Sequence, residues 1–296
     1  MSKPGVVRVG PAGWSYDDWK GIVYPKPAPK GFHPLEYLSR FFDTLELNVT
    51  FYRPVPAGNA MTWIQKVKGN PRFKFTAKMW QRFTHDREIE PAPDEVRQVR
   101  EGMDTLLHEG KLGAVLLQFP WSFKRTPENR VWLARLIDTF HDYPLALEVR
   151  HSSWNQPDVF EGLAERGVGF CNIDQPLFHQ SLKPSAKVTS CIGYVRLHGR
   201  NWEDWFRDDA GRDERYDYLY SEEELKPWLE KIEQIRKQAD EVYVITNNHY
   251  RGQAVVNAFD IQHGLGKTEF ILPQHLVDEY PRLKRLIKNQ KQPGMA

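Results

Sequence analysis

The sequence has few cysteines, no long apolar run and almost no net charge, and each of these features excludes a class of protein. Two cysteines, Cys171 and Cys191, are too few for a disulfide framework or a paired-cysteine metal site. No stretch approaches the roughly 18 consecutive apolar residues of a membrane-spanning helix. Residues 1–7 contain no apolar segment typical of a secretory signal, so we expect a reducing, cytoplasmic setting.

Charge and short motifs exclude further classes. The chain carries 41 basic and 39 acidic residues, for a net charge of +2. This balance neither requires nor excludes a nucleic-acid partner, because only a clustered basic patch would indicate one. The chain contains no dinucleotide-binding glycine motif after its first apolar run, no P-loop, no G-x-S-x-G elbow and no H-E-x-x-H zinc motif. We therefore assign no metal, cofactor or membrane partner.

Short apolar runs alternate with amphipathic stretches along the chain, which is typical of a parallel sheet covered by helices. The predicted strands are residues 6–10, 44–51, 73–79, 113–119, 145–150, 167–174, 193–198 and 241–247. The predicted helices are residues 34–42, 59–68, 94–109, 127–140, 157–166, 222–238 and 253–263. Before the sixth of these helices, Ser221 and Glu224 fit a capping box, although Pro227 also permits a later start.

Eight strands in about 250 residues predict a single (β/α)8 barrel of the TIM type. We place this one domain at residues 1–287 and a polar tail at residues 288–296. A doubly wound open sheet is the alternative, and the missing glycine motif disfavours it.

Polar residues end most of the predicted strands. Because strand residues i and i+2 share a face, Glu148 and Arg150 form a pair at the end of the fifth strand. Charge is costly in a buried strand, so the pair indicates either a pocket or an internal ion pair that fills the barrel. Similar sets on other strands are Glu46, Asn48 and Thr50; Thr76 and Lys78; Asn172 and Asp174; Arg196 and His198.

Long loops rich in aromatic residues follow strands 1 and 7. They rise from the barrel face where active sites lie, so we expect them to form walls or lids. The first covers residues 11–33, with Trp14, Tyr16, Trp19 and Tyr24; the second covers residues 199–220, with Trp202, Trp205, Phe206, Tyr216, Tyr218 and Tyr220.

The segment 247–252 follows the eighth strand and contains Asn248, His249 and Gly252. Backbone amides at a helix N-terminus bind anions, and barrels often bind phosphate after their last two strands. We therefore favour an anion site at Gly252, and the alternative is a turn with a helix cap. Arg196 and Arg200, on either side of His198, could also hold phosphate or carboxylate.

Several segments, in order, resemble motifs of the YecE-like family, also called domain of unknown function 72. They are Gly13-Trp-Ser-Tyr16 with Trp19 and Tyr24-Pro25; 46–52; 73–78; 118–120; 148–154; 195–199; and 247–252. The resemblance implies a TIM-type barrel, similar to the apurinic-endonuclease and xylose-isomerase group. It implies no reaction, and the metal ligands of that group have no matching motif here. Residues 253–257 depart from the Ala-Pro-x-Asn-Ala form expected of the family.

The leading functional hypothesis is an enzyme that acts by acid/base chemistry on an anionic, phosphorylated sugar-like or nucleotide-like substrate. Its candidate catalytic residues are Glu148 and His198 as acid and base, Lys78 as an anion-binding cation, and Glu46. Candidate substrate-binding residues are Trp14, Tyr16, Trp19, Asn48, Tyr52, Gln118, Arg150, Trp154, Asp174, Arg196, Arg200, Asn248, His249 and Gly252. One alternative is a glycoside hydrolase with Glu46 and Glu148 as its carboxylates. Another is a noncatalytic protein that binds single-stranded nucleic acid or phosphorylated metabolites.

Overall fold

The computed structural model of the chain describes residues 4–87, 90–203, 207 and 215–287. Within these residues, eight parallel strands form one sheet in the spatial order β1-β8-β7-β6-β5-β4-β3-β2. The strands are β1 (Val6–Pro11), β2 (Thr44–Leu47), β3 (Lys74–Lys78), β4 (Leu112–Gln118), β5 (Leu145–Glu148), β6 (Gly169–Asp174), β7 (Ile192–Leu197) and β8 (Glu241–Thr246). The predicted (β/α)8 barrel is confirmed. The predicted tail, Trp205 and Phe206 lie outside the described residues.

Helices follow the strands along the chain, and most of them pack outside the sheet. Among the described residues they are α1 (Pro34–Leu38), α2 (Val49–Tyr52), α3 (Ala57–Lys66), α4 (Gln81–Thr84), α5 (Pro93–His108), α6 (Pro127–Thr139), α7 (Pro157–Glu165), α8 (Glu222–Arg236), α9 (Gln253–Gly264) and α10 (Gln274–Glu279). Helix α2 borders an open cavity at the C-terminal ends of the strands. None of these helices combines the length and the apolar character that a membrane crossing needs.

The ends of the sheet, β1 and β2, close the barrel by a near approach of their backbones. The Gly13 amide donates a hydrogen bond of 2.9 Å to the carbonyl oxygen of Glu46. A Cβ atom on Gly10 would lie 1.9 Å from the carbonyl oxygen of Thr44. Glycine is therefore the residue that lets the strands come this close.

Helix α8 begins with the capping box that the sequence predicted. The Glu224 amide donates to Ser221 Oγ at 3.2 Å, and the Ser221 amide donates to Glu224 Oε2 at 2.9 Å. These bonds satisfy backbone donors that the first helical turn leaves open. The helix consequently begins at Glu222, and Pro227 lies inside it.

Strands β2 and β5 are shorter than predicted. Strand β2 ends at Leu47, and Asn48 has helical backbone angles of φ −84° and ψ −26° before α2 begins. Oγ1 of Thr50 lies within hydrogen-bond distance of two carbonyl oxygens, those of Leu47 at 2.8 Å and Lys78 at 2.7 Å, which share its one hydrogen. The predicted single face of Glu46, Asn48 and Thr50 is therefore wrong beyond Leu47. Strand β5 likewise ends at Glu148, so Arg150 follows the strand.

Charged side chains fill the barrel at the N-terminal ends of its strands. Glu241 Oε1 lies 2.8 Å from Lys74 Nζ and 3.1 Å from Arg8 Nη1. Tyr243 reaches so close to Gly113 that a Cβ atom there would lie 2.4 Å from its hydroxyl oxygen. These contacts leave the opposite end of the barrel for an open site.

Candidate active site

An open cavity lies at the C-terminal ends of the strands, the usual position of active sites in this fold. Its volume is about 740 Å³, which is within the range of roughly 300–1,000 Å³ found for small-molecule sites. Its lining is Gly13, Trp14, Ser15, Tyr16, Asn48, Val49, Phe51, Tyr52, Trp63, Lys78, His85, Gln118, Pro120, Trp121, Arg150, Arg215, Tyr216, Asn247 and His249.

The sequence-predicted site residues divide into two groups. The cavity is lined by Trp14, Tyr16, Asn48, Tyr52, Lys78, Gln118, Arg150 and His249. The structure places Glu46, Glu148, Arg196, His198, Trp19, Trp154, Asp174, Arg200, Asn248 and Gly252 outside this lining.

Three residues outside the lining, Glu46, Glu148 and Arg196, form a buried ionic layer. Nη2 of Arg196 is 2.7 Å from Oε1 of Glu46, and Nη1 of Arg196 is 2.6 Å from Oε2 of Glu148. The hydroxyl of Tyr194 donates to Oε2 of Glu46 at 2.9 Å. One guanidinium thus joins carboxylates from β2 and β5 across the barrel interior. All three charged side chains are buried.

The electrostatics of this layer keep Glu148 ionised. Burial alone would raise the pKa of Glu148, but Arg196, His198 and Arg150 together hold it well below its usual range. Burial would likewise lower the pKa of Arg196, yet Glu148 and Glu46 raise it well above the ordinary value. The layer is therefore a compensated set of fixed charges.

His198 extends this layer and is uncharged at neutral pH. Burial is the main cause that lowers the pKa of His198 to about 3. Nε2 of His198 lies 3.2 Å from Oε1 of Glu148, and Nδ1 lies 3.1 Å from Nδ2 of Asn247. These neighbours suit the tautomer in which Nε2 carries the proton and Nδ1 accepts from the amide.

The ionic layer corrects two roles inferred from the sequence. Glu148 and His198 do lie together, but both side chains are fully buried and neither lines the cavity. Glu46 and Glu148 are both held by Arg196. A glycosidase needs two carboxyl groups that face each other across an open cleft, and this arrangement is closed.

Lys78 is the charged residue that ends β3 and faces the cavity. Burial is the main cause that lowers the pKa of Lys78 to about 7, and the positive charge of Arg196 lowers it further. Nζ of Lys78 lies 3.9 Å from the ring centroid of Phe51. Among the described residues, Lys78 Nζ makes no hydrogen bond and no ion pair. This amine is therefore available to a ligand in both its charged and its neutral form.

Arg150 and Asn247 connect the cavity to the ionic layer. Both line the cavity. Nε of Arg150 lies 3.3 Å from Oε1 of Glu148, while the Asn247 amide contacts His198. The floor of the cavity therefore carries positive charge whose position is set by the layer beneath it.

His85 is a cavity residue that the sequence reasoning missed. It follows α4, and its ring meets the ring of Phe51 edge to face at a centroid distance of 4.9 Å. Burial is the main cause that lowers the pKa of His85 to about 4, and Lys78 lowers it further. His85 is thus neutral at pH 7, and Lys78 and His85 both contact the ring of Phe51.

Aromatic side chains form the walls of the cavity. The rings of Tyr16 and His249 are stacked, with centroids 4.5 Å apart and planes inclined by 13°. The indole nitrogen of Trp19 donates to the carbonyl oxygen of His249 at 2.7 Å, so the buried Trp19 supports this wall from behind. Trp14 and Trp63 meet edge to face at 5.7 Å. Trp154 instead belongs to the core, where its indole nitrogen donates to Phe123 O at 2.6 Å.

Asp174 and Arg200 lie on the outer side of the barrel wall. Nη2 of Arg200 is 2.9 Å from Oδ2 of Asp174, and the indole nitrogen of Trp228, on α8, donates to Oδ2 at 3.0 Å. Three positions earlier on β6, and so on the opposite face, Cys171 Sγ lies 4.0 Å from Glu148 Oε2, inside the barrel. The alternation of β6 therefore points Asp174 towards α8 and away from the cavity.

The expected anion site at Gly252 is closed by the protein itself. Oδ2 of Asp18 accepts the amide of Arg251 at 2.6 Å, and a Cβ atom on Gly252 would lie 2.6 Å from Cγ2 of Val23. The side-chain amide of Asn248 donates to the backbone carbonyl oxygen of Tyr218 at 2.7 Å. The segment is thus a turn and helix cap, with Gly252 at a φ of 80°.

Other cavity residues missed as site residues were Phe51, Trp63, Trp121, Arg215, Tyr216 and Asn247. Tyr216 lies in the aromatic loop after strand 7, and Asn247 directly follows the last strand, so their positions were usable signals. Trp63, within α3, gave no such signal. In the described part of the chain, no group of three or more His, Cys, Asp or Glu side chains is placed to hold a metal ion.

The fold and the position of the cavity define a TIM-type barrel protein with a basic, aromatic-walled site at the C-terminal ends of its strands. The model of the family described as "Protein of unknown function DUF72" matches residues 8–279. The chain therefore belongs to the DUF72 family.

Individual relatives agree with this assignment. UPF0759 protein YunF of Bacillus subtilis (strain 168) is 29% identical over 265 residues, which cover 85% of this chain and 92% of that protein. A DUF72 family protein from Thermotoga maritima MSB8 is 34% identical with a TM-score of 0.77, covering 88% of this chain and 99% of that one. A DUF72 family protein from Enterococcus faecalis V583 is 25% identical with a TM-score of 0.76, covering 90% and 98%.

Proposed function

We propose that this barrel is an enzyme that acts by acid/base chemistry on a small anionic, sugar-like or nucleotide-like substrate, with Lys78 as the reacting group. The observation that carries the proposal is the position of Lys78. Its amine lies on the cavity wall, has a pKa of about 7 and makes no ion pair within the described residues. An amine with a pKa near the working pH both donates and accepts protons effectively.

The charge around Lys78 supports an anionic substrate. Arg150 lines the same cavity beside Glu148, and Arg196 lies beneath it. These cations make the protonated form of Lys78 unfavourable, and an anion bound among them would relieve that repulsion. A guanidinium is also well suited to a phosphate or carboxylate group.

The walls support a substrate with apolar or ring faces. Trp14, Tyr52 and Trp121 line the cavity, and aromatic side chains pack well against sugar and base faces. Tyr52 is 58% exposed and so keeps much of its ring open to a ligand. In this proposal the buried Glu148 and His198 position Arg150 and Asn247 and do not touch the substrate.

Binding is tested by calorimetric titration with inorganic phosphate, ribose 5-phosphate and adenosine 5′-phosphate. We expect Lys78→Met and Arg150→Met to weaken binding by about tenfold or more, the loss that follows from removing a charge-assisted contact. Lys68→Met, at an exposed position, is the matched control. Unchanged affinity in both cavity variants, or no binding by the wild type, would refute the proposed anion site.

Catalysis is tested separately, without assuming a reaction. Sugar phosphates are incubated with the protein in deuterated buffer, and exchange of their C–H protons is followed by NMR. The proposal expects exchange in the wild type and none in Lys78→Met. Binding without exchange or conversion of any substrate would instead support a noncatalytic binding protein.

A further inference from the structure

We infer that Lys78 acts as a nucleophile that forms an imine with a carbonyl carbon of the substrate, which assigns the substrate to the aldehydes or ketones. This inference deepens the proposed function and rests on it. It concerns a covalent bond, whereas acid/base chemistry alone needs only proton transfer by the same amine.

The chemical state of the Lys78 amine favours nucleophilic attack. Only a neutral amine can attack a carbonyl carbon. With a pKa of about 7, roughly half of Lys78 is neutral at pH 7, about a thousandfold more than for a lysine with the ordinary value near 10.4. The buried surroundings and the nearby cation Arg196 are the two conditions that activate a lysine in this way.

The position of Lys78 in the fold also favours this role. Lys78 ends β3, and its carbonyl oxygen accepts the hydroxyl of Thr50, so its backbone is held from both sides. Its Nζ lies 3.9 Å from the ring centroid of Phe51, and both residues line the cavity. Lys74, at the other end of the same strand, is by contrast paired with Glu241 at 2.8 Å. Lys78 has no such carboxylate partner among the described residues.

Polar side chains in the same cavity also favour this role. Gln118 and Asn48, both cavity residues, bring side-chain amides to the neighbouring strand ends, and Arg150 supplies a fixed cation. These groups can donate hydrogen bonds to the oxygen that becomes negative when the amine attacks. His85 is neutral, because burial lowers its pKa to about 4, and so adds no charge that would repel the protonated imine.

The reaction step balances without any further reactant. The Nζ lone pair forms a bond to the carbonyl carbon, and the π electrons move to the oxygen. A proton passes from nitrogen to that oxygen to give a carbinolamine. The proton that Nζ released to solvent on becoming neutral is then returned to the hydroxyl oxygen, the C–O bond breaks, water leaves, and the nitrogen lone pair forms the C=N bond. Protonated Lys78 and the carbonyl compound thus give a protonated imine and water.

The experiment uses dihydroxyacetone phosphate as the probe, with dihydroxyacetone in a parallel sample. The full chain is incubated with each probe at pH 7, reduced with sodium borohydride, digested and mapped by mass spectrometry. We expect modification at Lys78 to exceed that at the exposed Lys68 and Lys124 by at least about tenfold, because of its neutral fraction. Equal modification of the three lysines would overturn the inference.

Lys78→Arg separates the inference from the proposed function. Arginine keeps the positive charge but does not lose its proton at neutral pH, so it cannot form the imine. We expect this variant to bind phosphate more tightly than Lys78→Met, because it keeps a cation at this position, and to yield no adduct at residue 78. Phosphate binding by the wild type without a Lys78 adduct would overturn the imine and leave the anion site standing. Loss of phosphate binding in Lys78→Met would still support that site.

Discussion

Arg196 Nη1 lies 2.6 Å from Oε2 of Glu148, and both side chains are closed off from solvent. The same guanidinium reaches Glu46 on the other side of the barrel. A buried ion pair stabilises a protein little relative to an apolar core. Removing one partner, however, leaves the other charge buried without compensation. The stability of this barrel therefore depends on Arg196 in a way that can be measured.

Arg196→Met is expected to lower the free energy of unfolding by about 3–5 kcal/mol, because two buried carboxylates lose their shared cation. Chemical denaturation with urea measures the change. Arg97→Ala is the control, since Arg97 and its partner Asp94 are both largely exposed, and we expect little change there. Adding Glu46→Gln and Glu148→Gln to Arg196→Met should recover part of the loss. If it recovers none, the buried charges are not its cause.

Tyr194→Phe tests the second contact of Glu46. The change removes one hydroxyl, which donates to Oε2 of Glu46 at 2.9 Å. A buried acceptor that loses its donor costs about 1–3 kcal/mol, and urea denaturation should show a loss of this size. Tyr52→Phe, at a side chain that is 58% exposed, should change stability little. Equal effects of the two variants would contradict the assignment.

The position of the pocket followed from sequence, but the division of roles within it did not. Alternation along the chain predicted the barrel, and polar strand ends such as Glu148 and Lys78 indicated its functional end. Both residues end strands, yet Glu148 is buried and Lys78 faces the cavity. Arg196 holds the carboxylate of Glu148, 48 residues earlier in the chain, inside the barrel, and no local pattern contains that contact.

The orientation of β6 was unpredictable for a related reason. Strands buried on both faces are apolar on both faces, so alternation does not show which side is the interior. Asp174 therefore looked equivalent to Glu148, although the structure directs it to Arg200 and Trp228. The anion site at Gly252 failed because the carboxylate of Asp18, 233 residues away, already accepts the amide of Arg251.

Lys78→Met should change how stability depends on pH. The pKa of Lys78 is about 7 in the folded chain and near 10.5 when unperturbed, so the unfolded chain binds more protons between these values. Wild-type stability therefore gains from Lys78 as pH rises through this interval, and the full cost of charging Lys78 is present below pH 7.

The variant removes that cost. At pH 6 we expect Lys78→Met to raise the free energy of unfolding by on the order of 2–4 kcal/mol, with the gain shrinking towards pH 10. Urea denaturation at several pH values gives the two curves. Lys68→Met, at an exposed site, should run parallel to wild type. A difference between Lys78→Met and wild type that does not vary with pH would contradict the lowered pKa.

Gly10→Ala tests the closure of the barrel. A methyl group at this position would lie 1.9 Å from the carbonyl oxygen of Thr44, so β1 and β2 must separate. We expect a loss of more than about 3 kcal/mol or failure to fold, the upper range for single substitutions. Gly162→Ala is the matched control: Gly162 lies inside α7 with nothing within 4 Å of the added carbon, and should be stabilising by about 0.5–1 kcal/mol. A much smaller loss of stability in Gly10→Ala, measured by thermal unfolding, would show that β1 and β2 can separate at little cost.

The residues that line the cavity come from different parts of the fold. Lys78 ends a strand that is paired on both sides, whereas Trp14, Trp121 and Tyr216 lie outside the described strands and helices. Loops accept substitutions and insertions that a paired strand does not. Within one family, substitutions can therefore change the walls of the cavity while the strand that carries Lys78 stays in place. Under the proposed function, relatives with different aromatic walls would share one chemistry and differ in substrate specificity.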